Sequence, residues 1–205
     1  MSMLLAAVVA AGCGSTAPAT ATLTAGPASL APTATLPNTS PQPPASGTAS
    51  AAAAVAADPS LLDRIPAAKA GLTLTYDPDT TASVAADPSL AKDAAAIATG
   101  LAIPAGQAAS PSDFVIVNVV KLRAPKTDDE WFREWRDTYD QAACANAGGV
   151  AGNAEATLGT HQVFIGSCAG GAFTYHTLLD NGSTVLSLTG VGPGRMGEKL
   201  MAVVP

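Results

Sequence analysis

Hydrophobic and polar positions change their rhythm several times along this chain, and each change marks an element. An apolar run of small and branched residues, Met1 to Gly14 (MSMLLAAVVAAGCG), comes first. A stretch without periodicity follows to Ala57. Strict alternation begins at Leu72-Thr73-Leu74-Thr75-Tyr76 and predicts a strand. Phe114–Leu122 (FVIVNVVKL) is β-branched on both faces and reads as a central strand. The strongest helical rhythm lies in Thr127–Gly149, where Phe132, Trp135, Tyr139, Ala142 and Ala143 recur at steps of three and four. Thr127 and Glu130 stand at capping-box spacing, Asp128, Asp129 and Glu130 lie at the positive end of the dipole, and Gly148 is a C-terminal stop.

After this helix the period returns to two. Ala154–Leu158 and His161–Cys168 form a hairpin through Gly159-Thr160, and Gly170-Gly171 turns the chain into Phe173–Leu179. Asp180-Asn181-Gly182-Ser183 leads into Thr184–Thr189, its Asn-Gly suited to a type I′ turn. Arg195–Val204 closes the chain as a short helix with Met196, Leu200 and Val203 or Val204 inward. The word VAADPSL occurs twice, at Val55–Leu61 and Val84–Leu90, each time offering an N-cap aspartate followed by proline. It predicts a short helix near 58–65 and a longer one from Pro88 to about Leu101, with Leu90, Ala94, Ile97, Ala98 and Leu101 inward. Asp77 to Thr81 (DPDTT) reads as a turn. Strand, helix, strand, helix, four strands, helix is the order of an α+β domain: a single, mostly antiparallel curved sheet with helices packed on it.

Composition divides the chain more sharply. No charged residue precedes Asp58 and no aromatic precedes Tyr76, so residues 58–205 hold what a core needs. Residues 13–57 are rich in Ala, Pro, Thr and Ser and carry no charge; such a segment cannot bury enough surface to offset chain entropy, and it is expected to be a disordered tether. The net charge of −6 falls wholly in the domain and no basic stripe occurs, which argues against nucleic acid as a partner.

The first fourteen residues carry one specific motif. Ala10-Ala11-Gly12-Cys13, directly after the apolar run, resembles the lipobox of bacterial lipoproteins. The resemblance implies a signal peptide over 1–12, cleavage before Cys13, a diacylglyceryl group on its sulfur, and an extracytoplasmic protein anchored to the cell membrane by lipid. Two thiols then remain, Cys144 and Cys168, and in an exported protein the even count implies a disulfide. Closing a loop of about 25 residues would stabilise the fold by ~3 kcal/mol. Over residues 70–205 the element order also resembles the PsbP-like fold of small exported lipoproteins, which implies binding or assembly rather than catalysis.

Chemistry is sparse. Gly166-Ser167-Cys168-Ala169-Gly170 has the form of a nucleophile elbow, with His161 and His176 as candidate bases, but the elbow needs a helix after the turn and a strand is expected there. Gly192-Pro193-Gly194-Arg195-Met196-Gly197 matches a dinucleotide fingerprint by letter, with too little chain after it for a second βαβ strand. Arg195, His176 and Tyr175 are the candidate ligand-binding residues; no catalytic residue, metal ligand or cofactor is assigned. The expected function is a membrane-tethered binding module for a protein partner or an apolar ligand. An exported Cys-His hydrolase and a purely structural envelope protein are the alternatives.

Overall fold

The two-sided apolar run FVIVNVVKL forms β4 (Phe114–Leu122), flanked on both edges by other strands. The computed structural model describes residues 54–107 and 112–205. These build β1 (Ala56–Ala57), β2 (Leu72–Tyr76), α1 (Pro78–Ala85), β3 (Ala94–Pro104), β4, α2 (Asp129–Cys144), β5 (Val150–Leu158), β6 (His161–Cys168), β7 (Phe173–Leu179), β8 (Thr184–Val191) and α3 (Met196–Met201). All eight strands belong to one sheet, in the order β1-β3-β4-β8-β7-β6-β5, with β2 also paired to β3. Every pairing is antiparallel except β1 with β3. The expected α+β class and mostly antiparallel sheet are therefore present. The lipobox, Cys13 and most of the expected tether lie outside the described residues. No helix among the described residues is long and apolar enough to cross a membrane.

Alternation along the strands divides the core in two. Val115, Val117 and Val119 of β4, Leu186 and Leu188 of β8 and Tyr175 of β7 face one side. There the 3-10 segments Pro59–Arg64 and Ala67–Ala70 cover them together with α3, through Leu61, Leu62, Ala67, Leu200 and Met201. Val120, Leu122 and Val185 face the other side, beneath Phe132, Trp131 and Trp135 of α2 and Val84 and Ala85 of α1. Helical segments thus lie on both faces. Each buried Leu, Ile or Phe contributes ~1.5–3 kcal/mol.

The expected helix from Pro88 to Leu101 does not form. Residues 88–93 are turns, and Ala94–Pro104 is β3, paired on one edge with β4 and on the other with β1 and β2. Its alanines answer crowding rather than helix propensity, because both faces are covered along most of this strand; Leu101, expected inward, is instead 40% exposed. A Cβ at Gly100 would stand 2.8 Å from Leu74 Cδ1 and 3.0 Å from Leu62 Cδ1. Tertiary packing overrides the alanine preference for helix here. The DPDTT segment is likewise more than a turn: Asp77 caps α1, its Oδ1 accepting from the Thr80 N–H at 3.0 Å.

The repeated word VAADPSL keeps its local chemistry and changes its element. Asp58 accepts from the Ser60 N–H at 3.1 Å and Asp87 from the Ser89 N–H at 2.8 Å. The first copy runs from β1 into a 3-10 turn, the second from the end of α1 into turns. Val55, Val84 and Leu90 all reach the same apolar cluster. The long helix starts one residue later than its capping-box spacing suggests. Asp128, not Thr127, is the N-cap and accepts from the Glu130 N–H at 2.9 Å. After α2 a 3-10 turn ends in Gly148 at φ 81, the expected stop. The β7–β8 connection is wider than a two-residue turn, with Asp180, Asn181 and Gly182 all at positive φ.

Candidate functional sites

The α2 face of the sheet carries a row of polar side chains. Thr99, Asn118, Ser187 and His176 lie side by side on β3, β4, β8 and β7. Thr189 and Thr174 pair in the next row. Strands that are otherwise apolar present these groups because α2 brings polar atoms to meet them. Asp140 accepts from His176 Nε2 at 2.8 Å and from the Thr174 hydroxyl at 2.5 Å. With the proton on Nε2, His176 Nδ1 accepts from Ser187 Oγ at 3.0 Å, and Ser187 Oγ in turn accepts from Trp135 Nε1 at 3.3 Å. Alongside, the Thr99 hydroxyl donates to Asn118 Oδ1 at 2.7 Å and Asn118 Nδ2 donates to the Tyr139 hydroxyl at 2.9 Å. That hydroxyl also bonds Thr189 Oγ1 at 3.0 Å, and burial pushes its pKa up. Gly166 is required beneath this cluster: a Cβ there would stand 2.3 Å from Thr174 Oγ1 and 2.4 Å from Asp140 Oδ2.

Asp140, His176 and Ser187 share their residue types and linear order with a hydrolytic triad, yet the arrangement is sealed. His176 is fully buried, Ser187 is 1% exposed and Asp140 is 6% exposed. Ser187 sits mid-strand between two hydrogen-bonded neighbours, so the backbone N–H groups around it belong to the ladders and leave no oxyanion hole. This network fixes how α2 docks on the sheet. It does not present a nucleophile.

The elbow cysteine is also engaged. Cys168 is bonded to Cys144 with a Cα–Cα distance of 5.1 Å, which ties the last residue of α2 to the end of β6. Beyond Cys168 the chain turns into β7 and forms no helix. The expected disulfide is present, and a Cys-His mechanism at this residue has no free thiol. His161 lies elsewhere, its Nε2 2.9 Å from the Pro205 carbonyl oxygen. Among the described residues no three His, Cys, Asp or Glu side chains gather as metal ligands.

The opposite face, at one end of the sheet, holds Arg195. The segment Gly192–Gly197 joins β8 to α3 and is tightly built. Asp113 Oδ1 accepts from the Gly194 N–H at 2.6 Å. A Cβ at Gly192 would stand 2.3 Å from the Ser112 carbonyl oxygen, and one at Gly197 2.5 Å from Tyr175 Cε2. Arg195 itself adopts left-handed backbone angles, φ 49 and ψ 45, uncommon for a residue with a side chain. Its guanidinium stacks 4.4 Å over the Phe173 ring, and Nε donates to Glu198 at 2.6 Å. Two open grooves meet at this residue. One, of about 500 Å³, is lined by Gly170, Gly171, Phe173, Val191, Gly192, Pro193 and Arg195. The other, of about 390 Å³, runs past Leu158, Pro193, Glu198 and Lys199.

Of the three candidate binding residues, two come together. Tyr175 lies directly beneath α3 and within electrostatic reach of Arg195 and Glu198, and burial pushes its pKa up. Its hydroxyl, loosely engaged by Arg195, is the one buried side-chain polar atom among the described residues without a hydrogen bond of good geometry. His176, the next residue along β7, points through the sheet to Asp140 and belongs to the other network. Sequence reasoning missed Asp140, Ser187, Thr174 and Asn118. The signal for them was present: polar residues at i and i+2 in Thr174/His176 and Ser187/Thr189, inside strands otherwise apolar on both faces. Comparison with protein-family models, curated proteins and solved structures gave no match for this chain.

Proposed function

We propose that this protein is an exported, lipid-anchored binding module that receives a small apolar ligand or a protein partner at the Arg195 loop. The observation that carries the reading is a contrast in access. The triad-like residues and both domain cysteines are buried and bonded to one another. The grooves beside Arg195 are open, floored by glycine and walled by Phe173, Val191 and Pro193. A cation, an aromatic face and exposed backbone in one concavity suit recognition, which needs a few placed polar groups in an apolar surround. The disulfide fits an oxidising compartment, in keeping with the lipobox-like Ala10–Cys13.

The test uses protein purified from its own membrane. Native and denatured masses of the chain are compared after cleavage in the Pro-rich segment. A bound molecule lost on denaturation supports ligand binding and gives its mass; a bare domain directs the search to protein partners. In parallel, Cys13→Ser should move the protein from the membrane to the soluble fraction. Retention of this variant at the membrane would remove the lipid anchor from the reading.

A further inference from the structure

The Arg195 loop, where the chain turns from β8 into α3, combines three features. A residue with a bulky side chain keeps left-handed backbone angles, which cost free energy and persist at sites where the surroundings enforce them. Asp180 and Asn181, the other non-glycine residues at positive φ among those described, belong to a hairpin connection; Arg195 does not. Beneath it the Tyr175 hydroxyl is buried without a hydrogen bond of good geometry, engaged only loosely by the Arg195 guanidinium, a costly state for a polar group. Finally, only Nε of Arg195 makes a hydrogen bond of good geometry among the described residues, to the carboxylate of Glu198 in the first turn of α3. Both side chains of that pair are more than a third exposed, so water screens it and little holds it closed.

We propose that Glu198 occupies the place of a ligand's carboxylate, and that the loop is the head-group subsite for a small aliphatic carboxylate. This rests on the binding-module reading above and names its ligand class. The incoming carboxylate replaces Glu198 on the guanidinium, whose planar fork matches two carboxylate oxygens. The Tyr175 hydroxyl, which lines neither groove, lies behind the guanidinium and engages it loosely, so it steadies the cation as the ion pair opens. The aliphatic part lies along Phe173, Val191 and Pro193, where Gly170, Gly171 and Gly192 leave the backbone uncovered. Two acidic groups would oppose an anion here. Glu198 is the one displaced, and Asp113 is turned to the Gly194 N–H. Lys199, lining the second groove, adds a further positive charge.

The experiment is a titration of the full chain carrying Cys13→Ser, which needs no detergent, with sodium decanoate, 1-decanol and sodium acetate, followed by NMR. Decanoate should shift signals of residues 170–175 and 191–199 and bind roughly tenfold more tightly than either other probe, each of which lacks one half of the ligand. Arg195→Gln should weaken decanoate roughly tenfold or more. Tyr175→Phe should weaken it severalfold while the thermal midpoint stays level or rises, since that change deletes a buried hydroxyl that makes no hydrogen bond of good geometry. Glu198→Gln should strengthen it, a result that a merely structural ion pair does not produce. Unchanged or weaker binding in Glu198→Gln overturns the displacement. Equal binding of decanoate and decanol overturns the carboxylate assignment and leaves an apolar binding module standing. No shift at the loop with any probe overturns the subsite itself, while the native-mass measurement judges the binding reading separately.

Discussion

At Asp140 a single carboxylate receives hydrogen bonds from two strand residues and carries the C-terminal half of α2 onto the sheet. Asp140→Ala leaves His176 Nε2 and the Thr174 hydroxyl buried without an acceptor, and should cost ~2–4 kcal/mol in urea unfolding of the oxidised protein. Ser187→Ala removes one link and should cost ~1–2 kcal/mol. A catalytic role for these residues predicts the reverse, namely full stability and lost turnover. Geometry decides how far they were legible in the sequence. The period of two placed Tyr175 and His176 on opposite faces, so their separation was readable. That Asp140 would meet His176 was not, because the docking angle of a helix on a sheet is set by contacts far apart in sequence. The Arg195–Glu198 pair is three residues apart, but Arg195 is the left-handed N-cap of α3 and not on the helix, so helical spacing alone did not place it.

At the scale of elements, local signals held where one neighbour decides and failed where two layers compete. The α2 start is the simplest case. Asp128→Ala should cost ~1 kcal/mol and Thr127→Ala only a few tenths, because Asp128 is the side chain that accepts at the cap. Thermal or urea unfolding of the two variants separates them. β3 is the opposite case. An Ala-rich window satisfies helical and strand rhythm equally, and only the layers above and below made it a strand. The connection before α2 is tied down by Asp93, which accepts from Lys126 Nζ at 2.7 Å and from Trp131 Nε1 at 3.2 Å. The Lys126 hydrogen bond, with a smaller part from Trp131, holds the Asp93 carboxyl below its ordinary value of 3.8. A depressed folded pKa gives stability that is complete above the unfolded value and is lost as pH falls through the folded one. Asp93→Asn should therefore destabilise the domain at pH 6, and the gap from the parent protein should narrow as the pH drops below about 4. Equal gaps at pH 6 and pH 3 would show that Asp93 acts as a neutral hydrogen-bond acceptor.

For the whole molecule, the sheet is continuous from β1 to β5, but α2 crosses from β4 to β5 and depends on three kinds of fastening: apolar contact at Phe132, the polar row, and the disulfide. The polar row alone is a poor anchor in free-energy terms, since each buried hydrogen bond replaces one to water and yields only ~1 kcal/mol net. Its value is in specifying one docking, because any slide of α2 would strand several buried polar atoms at once. The disulfide then limits how far the helix departs when the row opens. Replacing both Cys144 and Cys168 by Ala should cost ~2–4 kcal/mol, and hydrogen exchange should show where. Amides of α2 should lose protection by more than those of β4 and β8, which stay covered on the other face by α3 and the 3-10 segments. A uniform loss across the sheet would mean that α2 and the strands unfold as one unit. In that event the polar row, rather than the sulfur bridge, couples the helix to the sheet, and Asp140→Ala should then produce the same uniform pattern with the disulfide intact.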